Sequence, residues 1–123
     1  MRKPAKYTVS GKVVLVTGAL TAVGRRLSRE LVRLGARVAL VDSISSNIGK
    51  EFSEELNKDA PGAQDPTVYI ETDLRSHHHI RVMIEMAVIA FGRLDVLVNN
   101  AERHADEISG EEDVQRICDS IDV

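Results

Sequence analysis

The stretch "KVVLVTGALTAVG", residues 12–24, decides how the rest of the chain reads. Val13 to Thr17 form a continuous apolar run, the pattern of a parallel strand covered on both faces. The run breaks at Gly18, and from Val23 the period changes. Val23, Leu27, Leu31 and Leu34 recur at helical spacing, with Arg25, Arg26, Arg29, Glu30 and Arg33 on the other faces and Gly35 as a stop. A strand that turns through glycine into a helix is a candidate anion cradle. The chain reverses tightly, backbone N–H groups are left free, and the helix start carries partial positive charge.

The alternation continues. "RVALVD" (37–42) is a second apolar strand that ends on an acid. Ser45, Ser46 or Asn47 caps a second helix with Ile48, Phe52 and Leu56 as its stripe, and "DAPGAQDP" (59–66) breaks it as a surface loop. "TVYIETD" (67–73) is strand three. Ser76 caps a helix that runs to Phe91 before Gly92, with Ile80, Ile84, Ala87, Val88 and Phe91 as the expected buried stripe. "LDVLVNN" (94–100) is strand four, and Val114, Ile117 and Ile121 begin another helical pattern. Strands alternating with helices over short connections predict an α/β fold, a doubly wound parallel sheet with right-handed crossovers.

Composition narrows the function. The chain has 123 residues, one domain at most, with 43% hydrophobic residues to build a core. A net charge of −3, without a block of either sign, argues against a nucleic-acid partner. No segment approaches the ~18 consecutive apolar residues of a membrane span, and "MRKPAKYTVSGK" lacks the apolar centre of a secretory signal. Cys118 is the only cysteine, which excludes an internal disulfide and favours a reducing compartment. The expected protein is soluble and cytoplasmic.

Within the cradle, Gly18 supplies the tight turn and Gly24 the close packing of helix on strand. Ala22 adds a methyl that is tolerable if its φ is negative and its Cβ points away from the phosphates. On its own the turn is a weak signal, because glycine-rich turns also serve as plain structure. Asp42 strengthens it, since a carboxylate at the end of strand two can accept both ribose hydroxyls of an adenosine. The same carboxylate repels a 2′-phosphate, and neither Thr21 nor Ser43 brings a compensating positive charge. NAD is therefore expected in preference to NADP. Arg25 and Arg26 could reach phosphate but read as solvated face residues.

"TGALTAVG", "VALVD", "TDL" and "FGRLDVLVNNA", in this order and spacing, resemble the short-chain dehydrogenase/reductase family from Gly11 onward. That family's turn admits Gly or Ala where Ala22 stands. The resemblance implies a Rossmann-type sheet with strand four beside strand one. It assigns cofactor contacts to Thr17, Gly18, Thr21, Ala22, Val23, Gly24, Asp42, Ser43, Asp73, Leu74, Asn100 and Ala101, with Asp73 and Leu74 bordering the adenine and Asn100 and Ala101 near the adenosine ribose. The length of strand two and its loop, "VD" followed by "NIGKEF", resembles the NAD-dependent 15-hydroxyprostaglandin dehydrogenase-like branch. The implied activity is hydride transfer between a secondary alcohol or ketone and the nicotinamide of NAD. For the full-length enzyme the resemblance also implies a homo-oligomer.

The chain departs from the family pattern in two ways. Glu102 stands where "NNAG" has glycine, and a carboxylate there would crowd the nicotinamide ribose. The family's catalytic Ser, Tyr and Lys are absent, since neither Tyr7 nor Tyr69 has a Lys three or four residues later. "VQRICDSIDV" resembles the lead-in to the family's helix Asn, expected just after Val123. The expectation is an NAD(P)-binding domain over 1–123, truncated after about four strands, with no catalytic residue in this chain. The alternative is a non-catalytic NAD-binding or interaction module. In the truncated sheet, strand four would be a long apolar edge, and weak stability or self-association is expected. No metal site is expected. His77, His78 and His79 are adjacent and diverge by about 100° per residue on a helix, and His104 is the only other histidine. Cys118 lies near acids that raise a thiol pKa, and the acids at 107, 111, 112 and 113 read as a solvated loop and helix start.

Overall fold

Four parallel strands run in the order β3-β2-β1-β4, with three helices as their connections. The computed structural model describes residues 8–58, 60, 62 and 64–100. In chain order the elements are β1 (Val13–Thr17), α1 (Ala22–Arg33), β2 (Arg37–Asp42), α2 (Ser46–Lys58), β3 (Thr67–Glu71), α3 (His77–Phe91) and β4 (Val96–Asn99). From β1 the chain builds outward through β2 to β3, then returns to lay β4 on the other side of β1. That reversal opens a crevice at the carboxyl ends of the central strands. The expected doubly wound parallel sheet is the observed one. The fourth helical stripe, from Val114 to Ile121, lies outside the described residues, as do His104, Glu102 and Cys118.

The alternation within β1 explains both layers. Val14 and Val16 face Val38, Leu40, Phe52 and Leu56 beneath α1 and α2. Val13 and Leu15 face Ala39, Val41, Ile80, Met83 and Phe91 beneath α3. All five β1 residues are buried. Burial of each aliphatic side chain is worth roughly 1.5–3 kcal/mol, so β1 is the thermodynamic centre of the sheet.

The helices expose part of the stripe that periodicity selects. In α1 the buried residues are Gly24, Ser28, Leu31 and Val32, while Val23 is 57% and Leu34 47% exposed. In α2, Ile48 is exposed, and Gly49 and Ser53 join Phe52 and Leu56 against the sheet. Small residues face inward because the helices approach the strands too closely for larger ones. Helix α3 follows its expectation more nearly. Ser76 accepts from the His79 N–H and Gly92 closes the helix in the left-handed conformation, but Met83 is buried and Val88 is exposed. Among the described residues, no helix is long and apolar enough to cross a membrane.

Asp95 locks β4 to the start of β1. Its backbone N–H donates to Val13 O, and its Oδ2 accepts from the Val13 N–H at 2.8 Å. The Val13 N–H, followed by Arg93, holds the carboxyl below its ordinary value of 3.8. A depressed carboxylate contributes stability that is fully present above that value and lost as pH falls through the folded pKa. Asp95→Asn keeps an acceptor for Val13 but removes the charge. It is expected to lower the melting temperature at pH 7, and thermal melts should show the gap closing on acidification below pH 3.8.

Candidate functional site

The turn between β1 and α1 is held by hydrogen bonds from every side. Gly18 has a φ of +65°, which allows the reversal, and no non-glycine among the described residues has a positive φ. Ala22 is exposed and has no positive φ, which meets the backbone half of the condition set for its methyl group. Thr21 caps α1: its Oγ1 donates to Gly18 O and accepts from the Gly24 N–H at 3.0 Å. Its carbonyl accepts from the Arg25 N–H. Of the first helical amides, those of Ala22 and Val23 are left open among the described residues, which is what an anion at this end requires. Val23 is exposed here because it sits at the mouth of the cradle, not on the core.

Gly24 shows why the turn needs its last glycine. A Cβ there would lie 2.0 Å from Gly18 O and 2.8 Å from Ala19 Cα, both backbone atoms. The cradle is thus shaped by contact of helix on turn.

Asp42 ends β2 beside this turn and is 9% exposed. Its Oδ2 accepts from the Leu20 N–H at 3.0 Å and its Oδ1 from the Ser43 N–H at 2.8 Å. The carboxylate therefore braces the turn. Ser43 is exposed, next to it. No feature of the sequence discloses the bond to Leu20, because it joins atoms 22 residues apart.

On the other side of the crevice, Thr17 and Asn100 join the turn to β4. The buried Thr17 hydroxyl donates to Asn99 Oδ1 at 3.0 Å and accepts from the Asn100 N–H at 2.9 Å. Asn100 Nδ2 donates to Thr21 Oγ1 at 3.3 Å. Both residues hold the geometry of the cradle. Ala101 lies outside the described residues. Asp73 and Leu74 follow β3: Leu74 packs toward the α3 layer, and Asp73 Oδ1 accepts from the Arg75 N–H at 3.0 Å. That backbone bond, with the Arg75 side chain, lowers the Asp73 pKa.

Arg25 corrects an expectation. Instead of standing solvated, its Nε donates to Leu20 O at 2.9 Å, and its guanidinium lies 4.8 Å from the centre of the Phe52 ring. A cation over an aromatic face gains electrostatic attraction, and here it fastens the turn to α2. Arg26 is exposed. Among the described residues no group of three or more His, Cys, Asp or Glu is gathered to hold a metal ion.

Comparison with known proteins matches this geometry to a family. The profile described as short chain dehydrogenase matches residues 12–123. The 15-hydroxyprostaglandin dehydrogenase (NAD+) of Homo sapiens is 39% identical over 93 residues, covering 76% of this chain and 34% of the relative. The branch that the loop after β2 resembled is thus among the relatives. A short chain dehydrogenase from Mycobacterium smegmatis superposes with a TM-score of 0.72 at 26% identity, covering 97% of this chain and 55% of that one. A 3-ketoacyl-(acyl-carrier-protein) reductase from Brucella melitensis, complexed with NADH, superposes with a TM-score of 0.67 at 26% identity, covering 94% and 46%. The chain spans about a third of the length of the curated relatives it matches.

Proposed function

The chain belongs to the short-chain dehydrogenase family, and on that premise we propose that residues 1–123 are the NAD-binding part of a cytoplasmic, homo-oligomeric oxidoreductase. The observation that carries this reading is the cradle itself. Gly24 leaves no room for a Cβ beside Gly18, and the open amides of Ala22 and Val23 lie at the α1 N-terminus. Those amides are the pyrophosphate donors, Asp42 takes the ribose hydroxyls, and Asp73 and Leu74 border the adenine. A relative named for NAD and a similar structure complexed with NADH support the cofactor class.

Bound there, the nicotinamide supplies a hydride acceptor for a secondary alcohol or, in its reduced form, a donor to a ketone. This chain's residues bind and orient the dinucleotide. The Tyr and Lys pair that would move the substrate proton is not among the 123 residues, since Tyr7 and Tyr69 lack a Lys at the required spacing. Positioned acid–base groups contribute roughly 10²–10⁴-fold to such reactions. The chain alone is therefore expected to bind NAD without oxidising secondary alcohols. Calorimetric titration should give NAD tighter than NADP by about ten- to a hundredfold, the scale of one unpaired like-charge contact. Equal affinities, or tighter NADP, would remove Asp42 from the ribose site. Turnover of NAD with a panel of secondary alcohols would overturn the division of labour.

A further inference from the structure

Asp42 is not the only carboxylate at this end of the sheet. We propose that Glu71, on the neighbouring strand, is a second determinant of cofactor preference: it occupies the N-terminus of α2 and thereby denies that position to a 2′-phosphate. The inference rests on the reading of Asp42 as the ribose-side carboxylate.

Asp42 and Glu71 are direct partners in the parallel register of β2 and β3, so their side chains leave the same face of the sheet at its carboxyl end. Glu71 Oε1 accepts from both the backbone N–H of Ser46, at 2.8 Å, and the Ser46 hydroxyl, at 2.9 Å. Ser46 is the first residue of α2, where amides and helix dipole favour an anion. The loop that leads to it, Ser43 to Ser45, leaves directly from Asp42 and carries no Lys or Arg. A phosphate on the ribose 2′-oxygen would approach this loop and find its helix terminus already paired with a carboxylate.

Tyr69 fixes the arrangement. It lies two residues before Glu71 on the same face, and its hydroxyl donates to Ile44 O while lying 3.2 Å from Asp42 O. Helix α2 rests on its ring. A Cβ on Gly49 would come within 2.1 Å of Tyr69 Cε2, so only glycine permits this seat. Burial raises the Tyr69 pKa first, and the charges of Asp42 and Glu71 raise it further. Arg25, the nearby cation of α1, is committed to Leu20 O and the Phe52 ring.

The test compares the full chain with Glu71→Gln, which keeps an acceptor for the Ser46 N–H and loses the charge. NAD and NADP are titrated at low and high salt, and exchange of the Ser46 amide is followed by NMR. The expected result is a NADP affinity about tenfold higher at low salt, NAD affinity within about twofold, and Ser46 protection retained. The gain should shrink at high salt, because exposed charges are screened. Unchanged NADP affinity with NAD binding intact overturns the role of Glu71 and leaves the cradle standing. Loss of Ser46 protection with weaker binding of both cofactors makes Glu71 structural only, and also overturns it. Asp42→Asn without effect on either cofactor overturns the ribose-side reading instead. A parent chain that binds neither dinucleotide overturns both.

Discussion

Gly24→Ala is expected to reduce NAD affinity at least about a hundredfold and to lower the melting temperature, although it adds a single methyl group. The new Cβ would stand 2.0 Å from Gly18 O, 2.8 Å from Ala19 Cα and 2.9 Å from Ala19 C. None of these is the end of a flexible side chain. Either α1 retreats from the turn or the turn opens, and each response moves the amides of Ala22 and Val23 relative to Asp42. Overpacking typically costs ~1–3 kcal/mol, a large share of the ~5–15 kcal/mol that holds a domain together. Calorimetry with NAD, alongside thermal melts followed by circular dichroism, measures both effects. NAD affinity within a factor of three of the parent would show that the cradle accommodates a Cβ.

Asp42→Ala is expected to remove two functions at once. It leaves the buried Leu20 N–H without its acceptor, an omission that costs ~1–3 kcal/mol, and it deletes the carboxylate proposed for the ribose hydroxyls. NAD affinity should fall by about a hundredfold or more, and the preference over NADP should disappear. Asp42→Asn separates the two parts. Its amide oxygen can still accept from Leu20, so the melting temperature should stay closer to the parent while the preference for NAD is still weakened. Paired titrations and melts of the two variants distinguish turn bracing from ribose recognition. If Asp42→Ala binds both cofactors as the parent does, Asp42 serves the turn alone.

The sequence by itself determined the strands, their alternation with helices and the location of the turn. Val13–Thr17 and Arg37–Asp42 are strands over the ranges that the apolar runs mark, because a strand buried on both faces has few alternatives in composition. The ends of β3 and β4 come in by one or two residues from "TVYIETD" and "LDVLVNN". Ser76 and Gly92 mark α3 for local reasons, a hydroxyl for an open amide and a glycine for a left-handed residue. These signals act between near neighbours and survive in a one-dimensional reading.

Tertiary structure alone decided the helix faces and the bonds that hold the site. Val23 and Ile48 are apolar at helical spacing, yet they are exposed, because Gly24 and Gly49 must face the turn and Tyr69. Periodicity ranks residues by hydropathy and carries no information on how closely two backbones approach. The same limit hid the bonds of Asp42 to Leu20, Asn100 to Thr21 and Glu71 to Ser46, whose partners are 22, 79 and 25 residues apart. Each joins a turn or a helix start to a different strand end, and only the sheet order β3-β2-β1-β4 brings those ends together. Local chemistry marked the candidate residues. The register of four parallel strands specified which of them meet.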